Sequence, residues 1–320
     1  MKKSISVVIP IFNEAGNIPE LWSRLGQALP STGLPCEVIF VDDGSIDASA
    51  ELLQEICRND PRARLIQLSR NFGHQSALAA GIDHARGDAV VLMDGDLQDR
   101  PESIPDFVKE WQGGVEVVYA VRVTRREHFP LNLLFKSFYR ILALISGIKM
   151  PLDSGIFGLL DRRAVDVIRS MPERNRYFPG LRAYAGFRQK GVAVDRDPRF
   201  AGTSRVGLLG LVRLAVDGMI SFSYAPLRIA TYSGFVISGL AFAYILRVLY
   251  KKWVSGEAIP GWASTLTAIL FLGGVQLIVS GIIGEYIGRI YDEVKKRPFY
   301  IISHRVNFTA EAKNEPKEQG

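Results

Sequence analysis

Two cysteines, Cys36 and Cys57, and four histidines, His74, His84, His128 and His304, are all that a chain of 320 residues carries of either type. The cysteines follow no spacing pattern, so no disulfide framework is implied and both read as packing residues in a reducing compartment. The histidines form no ligand-like cluster, which argues against a zinc site. No G-x-G-x-x-G follows the first apolar run and no G-x-x-x-x-G-K-[ST] occurs, so neither a dinucleotide fold nor a P-loop is supported. The opening MKKSISVVIPIFNE has two lysines, but its apolar run is short and broken by Pro10 and Asn13, and it reads as a first strand rather than a signal peptide.

Charge is missing from the last third in two places. Ile229–Leu246 is uncharged over 18 residues and Trp262–Gly284 over 23. At about 1.5 Å per residue each is long enough to cross a hydrocarbon core of about 30 Å, the first only just, and both are expected to be transmembrane helices. Tyr250, Trp253 and Trp262 stand at their connecting end, where interfacial aromatics belong. Arg228, Arg289, Lys295, Lys296 and Arg297 flank the other ends and vote for a cytoplasmic N-terminal part and tail, against Lys251 and Lys252 in the connection. The net charge of +6 would suit nucleic acid or an anionic membrane surface. The two uncharged stretches favour the membrane, and no nucleic-acid partner is expected.

From Ser4 to Val121 strand-like and helix-like segments alternate. Short runs rich in Val and Ile at Ile5–Ile11, Glu37–Val41, Arg64–Leu68, Ala89–Met93 and Glu116–Ala120 read as strands. Amphipathic stretches such as Asn17–Leu29, Asp47–Arg58, Gln75–Ala85 and Glu102–Trp111 separate them. That alternation predicts an α/β fold built of βαβ units, with a mostly parallel sheet buried on both faces. The fourth strand runs into MDGDLQDRPE, where Asp94 and Asp96 flank Gly95 and Asp99 follows. Ligands of open α/β sheets bind beyond the carboxyl ends of the strands, and a hard divalent cation holding a diphosphate takes one or two carboxylates there. Alone, D-x-D reads equally as an acidic turn before the next helix. Three more polar loops fall at strand ends of the same sheet: Pro10-Ile11-Phe12-Asn13-Glu14, then VDDGS from Val41 to Ser45, then Ser69 to His74. Four such loops on one lip favour a nucleotide pocket, although Asp43 and Ser45 also suit helix capping.

Further on, Pro130–Ile148 places Asn132, Lys136 and Arg140 four residues apart, and Val206–Ser223 does the same with Arg213, Asp217 and Ser221. Each is expected to lie as a helix in the membrane interface, cations towards water, the alternative being a core-facing helix. AEAKNEPKEQG at the end is polar enough to remain disordered.

The strings VVIPIFNE, VDDGS, LSRNFGHQSAL and MDGDLQDRPE resemble the N-terminal half of the GT-A glycosyltransferases of family 2. Arg122 with Arg125, RDPRFAGTSR, and GEYIGRIYDEVKKRPFYII are similar to the polyprenyl-phosphate branch, closest to bacterial bactoprenol (undecaprenyl-phosphate) glucosyltransferases, relatives of dolichol-phosphate mannose synthase. The resemblance extends to about Val306. It implies a GT-A nucleotide-sugar-binding part over 1–128, an acceptor part with interfacial helices over 129–227, two transmembrane helices over 228–291 and a cytoplasmic tail over 292–320. It also implies a multi-pass enzyme of the inner (cytoplasmic) membrane, its catalytic domain cytoplasmic, that moves glucose from UDP-glucose to undecaprenyl or another polyprenyl phosphate with Mg²⁺ or Mn²⁺. The same motifs serve mannose and aminoarabinose versions. A membrane polysaccharide synthase with a hydroxyl acceptor and a non-catalytic nucleotide-sugar sensor are the alternatives, and a span-poor anchor leaves room for a homo-oligomer.

Carried over residue by residue, the family's uracil and ribose contacts fall on Pro10, Phe12, Glu14 and Asp42, with Arg70 on the same nucleotide-sugar surface. Asp94 contacts the donor, Asp96 holds the metal, and Gln98 and Asp99 line the lip towards the sugar. Arg122, Arg125, Lys136, Arg140 and Arg199 are the cations for the lipid phosphate, and Arg205 belongs with Arg199 to a basic loop over the diphosphate. The plainer reading of each cation is a side chain snorkelling to water. The chain departs from the family at Ser154-Gly155-Ile156-Phe157, where an acid often follows the glycine. Asp153 is the nearby candidate for that catalytic role, or else a turn residue. A phosphate acceptor, with a second pKa of about 6, needs little help from a base. Tyr184 and Val206 also stand where a Trp and a Tyr are usual.

Overall fold

The hydrophobic runs of the first third do become the centre of a sheet. A computed structural model of the chain describes residues 3–122, 154–173, 176–195, 225–254 and 261–308. The expected interfacial helices, the basic loop, and Asp153, Arg125, Lys136, Arg140, Arg199 and Arg205 lie outside these residues. Two units are distinguished, one formed by 1–140, 148–205 and 298–320, the other by 141–147 and 206–297.

In the first unit β1 (Ile5–Ile11) is buried at every position. It pairs in parallel with β2 (Cys36–Asp42) and with β4 (Ala89–Leu92), and β2 pairs in parallel with β3 (Ala63–Leu68). The full order of the eight strands is β7-β5-β6-β4-β1-β2-β3-β8, with β5 at Val117–Arg122, β6 at Ser154–Asp161, β7 at Gln189–Val194 and β8 at Ile302–Val306. Strand β6 runs antiparallel to both β4 and β5, whereas β7 is parallel to β5. The reversal at β6 has a consequence for function: the start of β6 shares a lip with the ends of β4, β5 and β7.

Both faces of the sheet are covered, as continuous apolar strands require. On one face lie α1 (Ile18–Ala28), α2 (Ser49–Asn59) and α4 (Ile104–Gln112), which bring Leu21, Leu53, Phe107 and Trp111 onto Val7, Phe40 and Leu159. On the other lie α3 (His74–His84), α5 (Arg162–Ser170) and α6 (Phe178–Ala185), packing Leu78, Val165 and Leu181 with Val8, Ile66 and Leu160. Each such fully buried aliphatic side chain contributes about 1.5–3 kcal/mol. Helix α5 starts where Asp161 accepts the Arg163 amide at 2.9 Å, while its other carboxylate oxygen accepts Trp111 Nε1–H at 2.7 Å, so one side chain caps a helix and anchors α4 across the sheet.

Strands β6, β7 and β8 are absent from the sequence reading. The last is the clearest case, because ISHRV follows the second long apolar helix yet pairs antiparallel with β3, Leu65 opposite Val306. The Asn307 amide secures it by donating to the Ala63 carbonyl at 2.8 Å and to that of Cys57. The Tyr300 hydroxyl donates to Asp83 at 3.0 Å.

The second unit holds α7 (Ala225–Val254, 30 residues) and α8 (Trp262–Val294, 33 residues). Both are long and apolar enough to cross a membrane, with apolar windows at Ala230–Val248 and Phe271–Val294. Large apolar side chains such as Phe235 (73%), Leu240 (69%) and Leu277 (75%) are exposed along them. Helix α8 outruns the uncharged stretch read from the sequence, adding Glu285, Arg289, Asp292 and Glu293 to its last turns.

Candidate active site

Each parallel strand of the sheet ends in a loop, and side chains join these loops in series. After β1, Asn13 takes a left-handed backbone (φ 56°), which asparagine tolerates, and meets the loop after β2. Its amide donates to Ser45 Oγ at 3.0 Å and its side-chain oxygen accepts the Ile46 amide at 2.9 Å. The amide of Glu14 donates to Ser49 Oγ at 3.0 Å. The second loop joins the third through Asp43, whose carboxylate accepts the Phe72 and Gly73 amides at 2.7 and 2.9 Å. Burial pushes the Asp43 carboxyl above the usual range, against the pull of those two amides. The third joins the fourth through His74, whose Nε2 lies 2.9 Å from Asp94 Oδ1. Burial disfavours the imidazolium, but the bond to Asp94 and the charges of Asp94, Asp43 and Asp96 together hold its pKa above the ordinary value.

Glycine is required at one point of this lip and favoured at a second. Gly44 has φ +71°, and a β-carbon there would sit 2.6 Å from the Arg70 carbonyl carbon and 2.8 Å from the Asn71 nitrogen. Between the two aspartates, a β-carbon on Gly95 would meet Ile11 Cδ1 at 2.6 Å and the Pro10 carbonyl oxygen at 3.2 Å. The D-G-D turn therefore presses on the end of β1. Leu97 closes it in a left-handed conformation (φ 60°) with its side chain in the core, a strain of about 1–2 kcal/mol of the kind found at functional loops. The turn brings the Gln98 amide back to Asp96 Oδ1 at 3.1 Å and the Asp94 amide to Asp99 Oδ2 at 3.3 Å.

The structure brings together most of the described residues expected at the site. Asp94, Asp96, Gln98 and Asp99 form one loop, and beside it Pro10 lies near the end of β1, which Phe12 and Glu14 follow. Asp42 is only 3% exposed and accepts the Ser45 amide at 3.0 Å, so its carboxylate already orders the second loop. Arg70 is exposed on the third, its guanidinium 4.2 Å over the Phe72 ring. Arg122 ends β5, opposite Val194 on β7.

Beside the D-G-D turn a pocket is lined on its polar sides by Asp94, Gln98, Asp99 and Asp195, and floored by Ala120, Phe157 and Val194. Gly155 and Ile156 complete it, and Ile156, at the position where the family often has an acid, packs its side chain against the cluster on the opposite face of the sheet from Phe157. His74 and Asp195 were missed as site residues. His74 sits in the loop sequence LSRNFGHQSAL with no neighbouring residue that marks its role, and Asp195 follows a strand whose exposed positions give no apolar signal.

Among the described residues no group of three acidic, histidine or cysteine side chains makes a complete cage for a metal. Asp96 nevertheless fits a hard divalent ion whose remaining ligands come from a diphosphate and water, since its carboxylate is an oxygen donor oriented by the Gln98 amide.

The model of Glycosyl transferase family 2 matches residues 6–169, and that of the GtrB C-terminal hairpin matches residues 225–290. An uncharacterized glycosyltransferase, YkcC, of Bacillus subtilis is 43% identical over 93% of this chain and 92% of its own. The SfII prophage-derived bactoprenol glucosyl transferase of Shigella flexneri is 40% identical over 95% of this chain and 99% of its own. Among solved structures, glucosyl-3-phosphoglycerate synthase from Mycobacterium tuberculosis, determined with Mn²⁺, UDP and phosphoglyceric acid, has a TM-score of 0.51. It is 20% identical, covering 68% of this chain and 76% of that one, a likeness of fold.

Proposed function

Given that the chain belongs to glycosyl transferase family 2 and is a glycosyltransferase, we propose that it transfers glucose from UDP-glucose to undecaprenyl phosphate at the cytoplasmic face of a bacterial inner membrane. The observation that carries this reading is the D-G-D lip at the end of β4, borne on the same chain as two helices of membrane-crossing length. Similarity to bactoprenol glucosyl transferases along nearly the whole chain supports both the sugar and the lipid.

In this reading Pro10, Phe12, Glu14 and Asp42 hold the uracil and ribose, and Arg70 borders the nucleotide. Asp94, steadied by His74, engages the donor, and Asp96 with the diphosphate would hold Mg²⁺ or Mn²⁺. The ion supplies neutralisation of the charge that grows on departing UDP. Arg122, together with Arg125, Lys136, Arg140, Arg199 and Arg205, supplies positive charge for the lipid phosphate and the diphosphate. A lipid phosphate oxygen attacks the anomeric carbon as the bond to UDP breaks, and the configuration inverts. The acceptor is already an anion, so no base is needed, in keeping with the apolar Ile156.

The test is formation of lipid-linked sugar by the full chain in membranes supplied with undecaprenyl phosphate and mixed UDP- and GDP-sugars, read by mass spectrometry. Asp96→Ala should lower the divalent-dependent product by about a hundredfold or more. Unchanged turnover would refute the assignment, a hexose other than glucose in the product would correct the donor, and UDP-glucose binding without UDP release would identify a sensor.

A further inference from the structure

The pocket beside the D-G-D turn contains a charged side chain, Asp195, that the proposed chemistry does not use and that stands apart from the turn itself. Asp195 follows β7 directly, and its place is fixed by the pairing of β7 with β5, Val194 opposite Arg122. It is exposed and faces the same cavity as Asp94, Gln98 and Asp99 on the opposite side. The floor between is rigid: Phe157 is 3% exposed and rests edge-on against Phe107 with ring centroids 4.9 Å apart.

The electrostatics restrict what can occupy this space. With Asp94 and Asp99 on one side and Asp195 on the other, a phosphate in the pocket would meet like charge from both directions. The part of the substrates that fits is neutral, carries several O–H donors and has an apolar face. That describes a hexose: carboxylates only accept hydrogen bonds, hydroxyls donate them, and the C–H face of the ring suits a floor of Phe157 and Val194. We infer that Asp195 is a specificity-determining residue for the donor, accepting hydrogen bonds from hydroxyls of the transferred sugar while the ring lies over the Phe157 and Val194 floor. This rests on the proposed nucleotide-sugar reading but not on the identity of the lipid acceptor.

Two measurements on the full chain in detergent with Mn²⁺ test it. The first is calorimetric affinity for UDP, UDP-glucose, UDP-galactose and UDP-N-acetylglucosamine, which needs no acceptor. The second is the ratio of kcat/KM among the same donors with undecaprenyl phosphate. Asp195→Ala should leave UDP affinity unchanged, weaken binding of the preferred UDP-sugar about tenfold or more, and flatten the ranking among sugars. Asp195→Asn, which keeps an accepting oxygen, should fall between. A ranking unchanged in both variants overturns the inference, as does an equal loss for UDP and UDP-sugars, which would mean general damage to the site. Wild-type protein that ranks the donors yet makes no lipid-linked sugar would count against the proposed acceptor and leave Asp195 standing.

Discussion

Removing the Asp43 carboxylate should loosen the lip even though Asp43 has no assigned contact with substrate. The side chain is 3% exposed and is the direct hydrogen-bonded link between the loop after β2 and the loop after β3. Two amide bonds to a charged acceptor are worth about 1.5–3 kcal/mol each. Part of this is offset, because burial penalises the carboxylate and raises its pKa. A net loss of about 2–4 kcal/mol is expected for Asp43→Ala, and about half that for Asp43→Asn, whose amide oxygen still accepts one bond while its NH₂ faces the second donor. In a unit of this size 1 kcal/mol moves Tm by about 2–4 °C, so Asp43→Ala should melt about 4–16 °C below wild type in detergent. The sign of the pH dependence follows from the raised pKa. The folded state takes up this proton before the unfolded one does, so the stabilisation from protonating Asp43 is fully present below the unfolded value near 4 and is lost as pH rises through the folded one. The gap between wild type and Asp43→Ala should therefore widen as pH is lowered from 7 towards 4. A melting temperature within about 1 °C of wild type at pH 7 would refute the clamp, and a gap that narrows on acidification would refute the burial argument.

Two further outcomes are expected. Gly44→Ala should lower Tm measurably and weaken UDP binding, because the left-handed backbone costs about 1–2 kcal/mol and the new β-carbon meets the Arg70 and Asn71 backbone rather than a side chain that can swing away; an unchanged melt and UDP affinity would refute this. The Cys57 thiol, pushed up to about 12 by burial and then by the Asp60 charge, forms thiolate only as pH rises towards that value. It should resist iodoacetamide at pH 8 until the fold is opened with guanidinium, and prompt labelling of Cys57 in the native state would overturn that picture.

The parallel core was legible because its strands carry their own signal. Val7, Val8, Val38, Val41, Val90 and Val91 are buried on one face or the other, so both faces read as apolar and the runs stand out without knowledge of their neighbours. Strand β7 breaks that rule, since QKGVAV has exposed residues at several positions and takes its place from the register with β5. Strand β8 breaks it more completely. Ser303, His304 and Arg305 are all exposed and carry no apolar alternation, and the segment is extended because the β3 edge offers backbone groups to pair with 234 or more residues away in sequence. No local pattern encodes a partner at that distance.

The site divides along the same line. The D-G-D turn and the loops after β1 and β2 are contiguous strings whose chemistry lies in adjacent residues, so they were readable as a lip. What joins the lip is not contiguous: His74 meets Asp94 because α3 begins at the lip where β4 ends, and Asp195 faces Asp99 because β6 runs antiparallel between β4 and β5. An all-parallel continuation would have put the start of β6 at the far end of the sheet and left the D-G-D turn without an opposing wall there. The reversal at β6 supplies that wall, Gly155 to Phe157 from the start of β6 with Val194 and Asp195 from the end of β7 behind β5. The carboxylates proposed for the metal and the donor can thus be read from the parallel half of the fold, whereas Asp195, proposed to select the sugar, is positioned by the half that departs from it.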